Sequence, residues 1–132
     1  MTEPRERAVQ ELYEADQVDG WQPPPDLTGR ALRLVNGVLE HRDDLDSSIS
    51  VYADRWRIDR MPVVDRAILR LALYELRHAP DVPTAVILNE AVRIAKAFST
   101  ENSGRFVNGV LASLARAERP SKSHDRPPGE DR

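Results

Sequence analysis

Three consecutive segments of this chain carry apolar residues at the three- and four-residue spacing of an amphipathic helix. They cover residues 55–76, 81–98 and 102–116. The first is apolar on most sides between residues 63 and 76, which is typical of a helix at the centre of a bundle. No segment alternates with the two-residue period of a strand. The sequence therefore predicts an all-α fold built around the first of these segments.

Shorter helical stretches precede this block. Residues 4–15 carry one apolar stripe, and a proline-rich link then leads to a helix that Asp26 or Thr28 can cap. An acidic run around Asp44 marks a bend, after which helical spacing resumes. We expect six or seven helices in one domain of residues 1–118, followed by a disordered tail of residues 119–132 that has no apolar anchor.

Composition narrows the class of protein further. The chain has 132 residues, 40% of them apolar and 31% charged, and it contains no cysteine. Disulfides, thiolate metal sites and cysteine nucleophiles are therefore excluded. We expect a cytoplasmic protein because no run approaches the roughly 18 apolar residues of a membrane span and no signal peptide is visible. A net charge of −3 means that any contact with RNA needs a local basic face or a basic partner.

Residues for catalysis are few. The three histidines, His41, His78 and His124, are not at metal-ligand spacing from one another or from paired carboxylates. The chain also lacks a phosphate-binding glycine loop and a nucleophile elbow. We predict that the chain is not an enzyme and holds no metal or cofactor.

Some polar or small residues stand where a helix bundle does not need them. Gly109 follows Asn108 inside the last helix, where glycine costs about 1 kcal/mol relative to alanine. We favour tight packing against another helix over contact with a ligand. For Asn89 we favour a hydrogen bond to neighbouring backbone, and for Arg70 an ion pair across the bundle.

The segment Thr100-Glu101-Asn102-Ser103-Gly104-Arg105-Phe106 combines an amide, a hydroxyl, a cation and a ring at the start of a helix. This combination suits an unstacked nucleotide, because a ring can stack on the base, arginine can bind phosphate and asparagine can read a base edge. Two other interpretations stay open: Phe106 can belong to the core, and Asn102 or Ser103 can cap the helix.

Four segments together resemble the NusB family of bacterial transcription antitermination factors. They are WRIDRMPVVDRAILRLALYEL (56–76), DVPTAVILNEAVRIAKAFS (81–99), ENSGRFVNGVL (101–111) and, more loosely, AVQELYEAD (8–16). The resemblance implies a compact helical fold of two small subdomains. It also implies an adaptor that binds the single-stranded boxA element of nascent RNA together with NusE, a small-subunit ribosomal protein. The bound element then helps RNA polymerase to resist termination.

The resemblance also implies roles for individual positions. The candidates for the RNA face are Arg5, Tyr13, Asn102, Arg105 and Phe106. The candidates for the partner-facing helix are Asp65, Arg66 and Glu75.

One departure from the family pattern concerns the N-terminus. Family members usually begin with an arginine-rich arm, whereas residues 1–16 contain only Arg5 and Arg7 against five acidic residues. Either the partner supplies the missing charge or the true start lies upstream of Met1. Three alternatives stay open: a protein-interaction module that has lost RNA binding, a fragment of a ribosomal RNA methyltransferase with a similar domain, and a homodimer.

Overall fold

The computed structural model describes residues 3–53 and 58–120 of the chain, which form α-helices with no strand among them. The predicted all-α class is therefore confirmed. The predicted tail, apart from its first two residues, and residues 55–57 at the start of the predicted segment 55–76 lie outside the described residues. The elements are α1 (Pro4–Gln17), α2 (Gly29–Glu40), α3 (Arg42–Tyr52), a 3₁₀ turn (Ile58–Arg60), α4 (Val63–His78), α5 (Thr84–Phe98) and α6 (Glu101–Glu118).

Helix α4 is the hub of the fold. It contacts each of the other five α-helices, and it joins a subdomain of α1–α3 to one that it forms with α5 and α6, with a further contact between α3 and α6. Because α4 is apolar on nearly all sides, it can be buried from both directions at once. The largest side chains that are completely buried in the core include Leu45, Ile49, Ile68, Leu69, Leu73, Ile87, Ile94, Leu111 and Leu114.

Prolines and one threonine set the helix starts. Helices α4 and α5 begin directly after Pro62 and Pro83. The expectation that Asn102 or Ser103 caps α6 is wrong. Thr100 is the cap, since its Oγ1 accepts a hydrogen bond of 3.0 Å from the Ser103 N–H. Asn102 consequently lies inside the first turn of α6, with its side chain exposed.

Ion pairs join α4 to the helices around it. Arg70, which is almost fully buried, donates to Asp46 of α3 at 2.6 and 2.8 Å and lies 3.5 Å from Asp16 of α1. The predicted pairing of Arg70 across the bundle is therefore confirmed. Such bidentate contacts fix orientation because two parallel N–H groups meet two oxygens.

Arg119 closes the C-terminal end of α4. Its guanidinium donates to the backbone carbonyls of Leu76, Ala79 and Val82 at 3.1, 2.8 and 2.6 Å. It also reaches the Glu75 carbonyl and the Thr84 hydroxyl. These carbonyls lie in the last turn of α4 and in the link that follows it, and those of Glu75 and Ala79 also accept from the backbone N–H groups of Ala79 and Val82. The first residue of the predicted tail is therefore bound to the helical domain through its side chain.

We expect Arg119→Ala to lower the free energy of unfolding by about 2 kcal/mol, because the carbonyls at the end of α4 lose their charged donor. Arg119→Lys keeps the charge but not the planar guanidinium, so its free energy of unfolding should lie between those of the wild type and Arg119→Ala. Urea unfolding followed by circular dichroism measures both, with exposed Arg33→Ala as the control. Full stability in Arg119→Ala would contradict a role for this residue in closing α4.

Candidate RNA and partner interface

Two hollows lie at the end of the molecule where α4 begins and α5 meets α6. The α6 pocket, of about 340 Å³, is lined by Pro62, Asp65, Thr100, Asn102, Ser103 and Phe106. The α1 pocket, of about 300 Å³, is lined by Val9, Gln10, Glu11, Tyr13, Glu14, Val64 and Phe98. The structure thus brings predicted residues from α1, α4 and α6 to one end of the molecule.

Asp65 is a buried carboxylate in the wall of the α6 pocket and is only 2% exposed. Its Oδ2 accepts a hydrogen bond of 3.2 Å from the Ser103 hydroxyl, while Oδ1 has no hydrogen-bond partner among the described residues. Burial raises the pKa of Asp65, and the Ser103 hydrogen bond offsets part of that effect. A desolvated carboxylate with one oxygen still able to accept is suited to a cationic donor.

Two aromatic side chains are exposed at the α1 pocket. Tyr13 is 38% exposed and Phe98 is 40% exposed. Phe98 follows buried Ile94 by four residues, so its spacing continues the inward face of α5, yet its ring is exposed. Phe98 is the last residue of α5, so the helix ends before a neighbour covers the ring. Its position beside the polar link at residues 99–103 was the available signal for a surface role.

Asn102 and Arg105 form a polar pair on the exposed side of α6, in which Arg105 donates to the Asn102 side-chain oxygen. No carboxylate of the described residues lies within ion-pair distance of Arg105. Phe106 is partly buried and lines the α6 pocket beside them. An amide, a cation without an acidic partner among the described residues and a ring therefore lie together, and the RNA-binding role of this segment stays a prediction.

Arg5 and Glu75 are brought together, although the resemblance assigned them to different faces. Arg5 Nε lies 2.7 Å from Glu75 Oε1 and Arg5 Nη2 lies 2.9 Å from Oε2. The side chains are nearly inaccessible, since Arg5 is 8% exposed and Glu75 is 1% exposed. Desolvation opposes the charge on Arg5, but the hydrogen bond and charge of Glu75 raise the pKa of Arg5. RNA contact by Arg5, or partner contact by Glu75, requires this pair to open.

Arg66 is also engaged within the chain. Its Nε and Nη2 lie 2.9 and 2.7 Å from Asp16 Oδ2, and its Nη1 donates to the Ile58 carbonyl at 3.1 Å. Of the three predicted partner-facing residues, Asp65 alone has an oxygen that accepts no hydrogen bond from the described residues.

The other cations near the N-terminus are neutralised. Arg7 pairs with Glu11 and Asp26. Arg93 of α5 meets three carboxylates, those of Glu3, Glu6 and Glu90. The first helix therefore presents little net positive charge, and the shortage of charge seen in the sequence is also present in the structure.

We expect Arg5→Met to lower the free energy of unfolding by about 3 to 5 kcal/mol, because the buried Glu75 loses its main partner. Arg30 also contacts Glu75 Oε2, at 3.3 Å, but its side chain is partly exposed. The double variant Arg5→Met/Glu75→Met removes both charges and should recover much of the stability. Urea unfolding of the two single variants and the double variant measures the coupling. If the changes in the free energy of unfolding of the two single variants added up to that of the double variant, the ion pair would make no specific contribution to stability.

These features define an all-helical binding domain of two subdomains, with exposed aromatic and cationic residues at one end. The family model described as the NusB family matches residues 2–116, and the chain belongs to that family. Within the described part of the chain, the helices are too short or too polar to cross a bilayer.

Relatives match over nearly their whole length. The transcription antitermination protein NusB of Acidothermus cellulolyticus is 45% identical, over 98% of this chain and 95% of the relative. That of Symbiobacterium thermophilum is 43% identical, over 94% and 82%. Among solved structures, NusB of T. maritima has a TM-score of 0.79 at 33% identity, covering 91% of this chain and 96% of its own. A crystal structure of the antitermination factors NusB and NusE in complex with dsRNA has a TM-score of 0.75 at 27% identity, covering 86% and 94%.

Proposed function

We propose that this chain is a transcription antitermination factor. It binds the boxA element of nascent ribosomal RNA together with NusE, in the cytoplasm, and helps RNA polymerase to resist termination without catalysing a reaction. The observation that carries the proposal is the exposed Asn102–Arg105 pair beside the α6 pocket, in a chain of the NusB family. The alternative without RNA binding is not favoured, because a solved family member is held in a complex with NusE and RNA.

The RNA face lies around the two pockets. Arg105 binds phosphate and Asn102 reads a base edge, which are the roles that guanidinium and amide groups serve in single-stranded RNA recognition. Tyr13 and Phe98 offer exposed rings for stacking, and Phe106 forms a wall of the α6 pocket. Arg5 joins this face only if it leaves Glu75.

The partner face uses Asp65. Oδ1 of its carboxylate accepts no hydrogen bond from the described residues and binds a cationic side chain of NusE. The charged hydrogen bond then compensates for the water that burial removed from this oxygen. Arg66 and Glu75 support this face through their contacts inside the chain, since they hold α4 against α1.

Affinity for RNA is shared between the two proteins. The chain carries a net charge of −3, and most of the arginines of α1, α4 and α5 meet carboxylates of the same chain. Phosphate contacts dominate the affinity of proteins for nucleic acids. A basic partner therefore supplies charge that this chain lacks, and RNA binding is cooperative with NusE.

Titration of a boxA RNA with and without NusE at physiological salt tests the proposal. We expect tighter binding with NusE, and affinity weaker by about tenfold for Arg105→Glu, the scale of one charge-assisted hydrogen bond. The slope of log affinity against log salt should become shallower by about 0.7 for each phosphate that the variant no longer binds. Arg33→Glu makes the same charge change on the exposed side of α2 and serves as the control.

Two results would contradict the proposal. One is RNA affinity of the wild-type chain that does not increase when NusE is added. The other is an equal loss of RNA affinity in Arg105→Glu and Arg33→Glu, which would show that Arg105 acts only through the net charge of the chain.

Asp65→Asn tests the partner face. Because burial raises the pKa of Asp65, ionisation of this carboxyl is less favourable in the folded chain than in the unfolded chain, so stability falls as pH rises from the unfolded-state pKa through the folded-state pKa. We therefore expect Asp65→Asn to raise the free energy of unfolding at pH 7 and to weaken NusE binding. Below the raised pKa, the affinities of wild type and variant should converge.

Urea unfolding and calorimetric titration with NusE measure the two effects. Asp81→Asn, at an exposed position, is the matched control. A variant that unfolds more easily and still binds NusE normally would show that Asp65 serves folding rather than the partner.

A further inference from the structure

The exposed side of α6 carries a row of residues that the proposed function does not fully use. Arg105, Gly109, Ala112 and Arg116 follow one another at four-, three- and four-residue steps, so they share one face of the helix. This α6 ridge points away from the buried face that contains Val107, Val110, Leu111 and Leu114. It begins beside the Asn102–Arg105 pair and runs toward the C-terminal end of α6.

Gly109 has no internal reason to be glycine. It is exposed, and a Cβ built there would meet nothing within 4 Å, so the expectation of tight helix packing is wrong. Its φ is ordinary, because the positive-φ glycines of the described residues are Gly20 and Gly29. Glycine is less favourable than alanine inside a helix. A bare backbone at this exposed position leaves room for a molecule that approaches from outside.

Charge on the ridge indicates what that molecule is. Arg105 lies one turn before Gly109 and Arg116 two turns after it. Neither has an ion pair within the part of the chain that the structure describes, and Arg116 instead donates to the Ser113 hydroxyl at 3.2 Å. Many arginines elsewhere are neutralised, such as Arg70 by Asp46 and Arg93 by Glu6, although exposed Arg33 on α2 has no ion pair among the described residues. The ridge thus offers two cations on either side of a bare stretch of backbone.

An extended polyanion fits this arrangement better than a protein helix. The two arginines are eleven residues apart, or roughly 16 Å along the axis at 1.5 Å per residue, so one phosphate cannot contact both. A protein helix could use Gly109 for a close crossing, but Ala112 is the one apolar side chain on the ridge. Such a crossing would bury little apolar surface. A strand of phosphodiesters would meet both guanidinium groups and could lie directly against Gly109.

We propose that the RNA backbone continues past the α6 pocket along the α6 ridge, held by Arg105 and Arg116 and lying closest to the helix at Gly109. This inference rests on the proposed function and adds to it a path for nucleotides that flank the recognised element. Contacts with phosphates carry no sequence information. The ridge therefore adds affinity for flanking RNA of any sequence, whereas Asn102 and the pockets discriminate between bases.

Gly109→Ala and Gly109→Leu test the close approach. Neither side chain meets an atom of the chain at its Cβ, and both residues favour helix more than glycine does, so the melting temperature should rise. RNA affinity of the complex with NusE should fall, and more for leucine than for alanine. A variant that is more stable but binds RNA less well cannot be explained by damage to the fold.

Arg116→Glu tests the charge at the far end of the ridge. With a boxA RNA that has extra nucleotides on both sides, we expect affinity weaker by about tenfold. The salt slope should be shallower by about 0.7. With an RNA trimmed to the element itself, Arg116→Glu should bind as the wild type does, whereas Arg105→Glu should remain weak. A scrambled flanking sequence should leave the effect of Arg116→Glu unchanged, and Arg33→Glu is the charge-matched control.

The outcomes separate this inference from the proposed function. If the wild-type chain gains no RNA affinity from NusE, the proposed function fails. If it gains affinity but the Gly109 and Arg116 variants match wild type on long RNA, the ridge alone is overturned. If Arg116→Glu or Gly109→Leu weakens NusE binding and leaves RNA binding intact, the ridge is a protein surface and the RNA path is wrong.

Discussion

Burial of α4 on all sides is the constraint on which the rest of the molecule depends. A helix that contacts five others has little solvent-facing surface for its polar residues, so its arginines and glutamate need partners from neighbouring helices. Those partners are Asp16 on α1, Asp46 on α3 and Arg5 on α1. Buried ion pairs contribute more to orientation than to net stability. They hold α1 in a single register against α4, and this register brings Tyr13 beside Val64 and Phe98 at the α1 pocket.

The same ion pairs decide where an anionic polymer can bind. The chain has 19 lysines and arginines, but those on α1, α4 and α5 are largely matched by carboxylates at ion-pair distance. Electrostatic attraction of RNA then depends less on the number of basic residues than on which of them face solvent without an acid. Among the described residues, Arg105 and Arg116 meet that condition on one face of α6, and exposed arginines such as Arg33 on α2 meet it elsewhere. A count of charges along the sequence would instead direct attention to α1, where the arginines are paired.

Helix order and the role of α4 could be predicted because apolar periodicity and prolines are local signals. Contacts between distant residues could not. Nothing near Arg5 in the sequence indicates that its guanidinium meets Glu75, seventy residues away. Phe98 continues the inward spacing of α5, yet the helix ends there and leaves the ring exposed. Gly109 looked like a packing glycine because a sequence does not reveal which face of α6 lacks a neighbour. The sequence thus indicated the segment Asn102–Phe106 as the candidate site. It did not indicate residues such as Phe98, whose exposure depends on tertiary structure.

The contacts of Arg119 also order events during synthesis of the chain. The residues at the end of α4 are synthesised before α6, whereas Arg119, whose guanidinium donates to their carbonyls, follows the whole of α6. Until Arg119 has left the ribosome, the Leu76 and Val82 carbonyls lack the guanidinium that donates to them. The side-chain contacts that complete the end of the central helix therefore become available only when the whole of α6 has been synthesised.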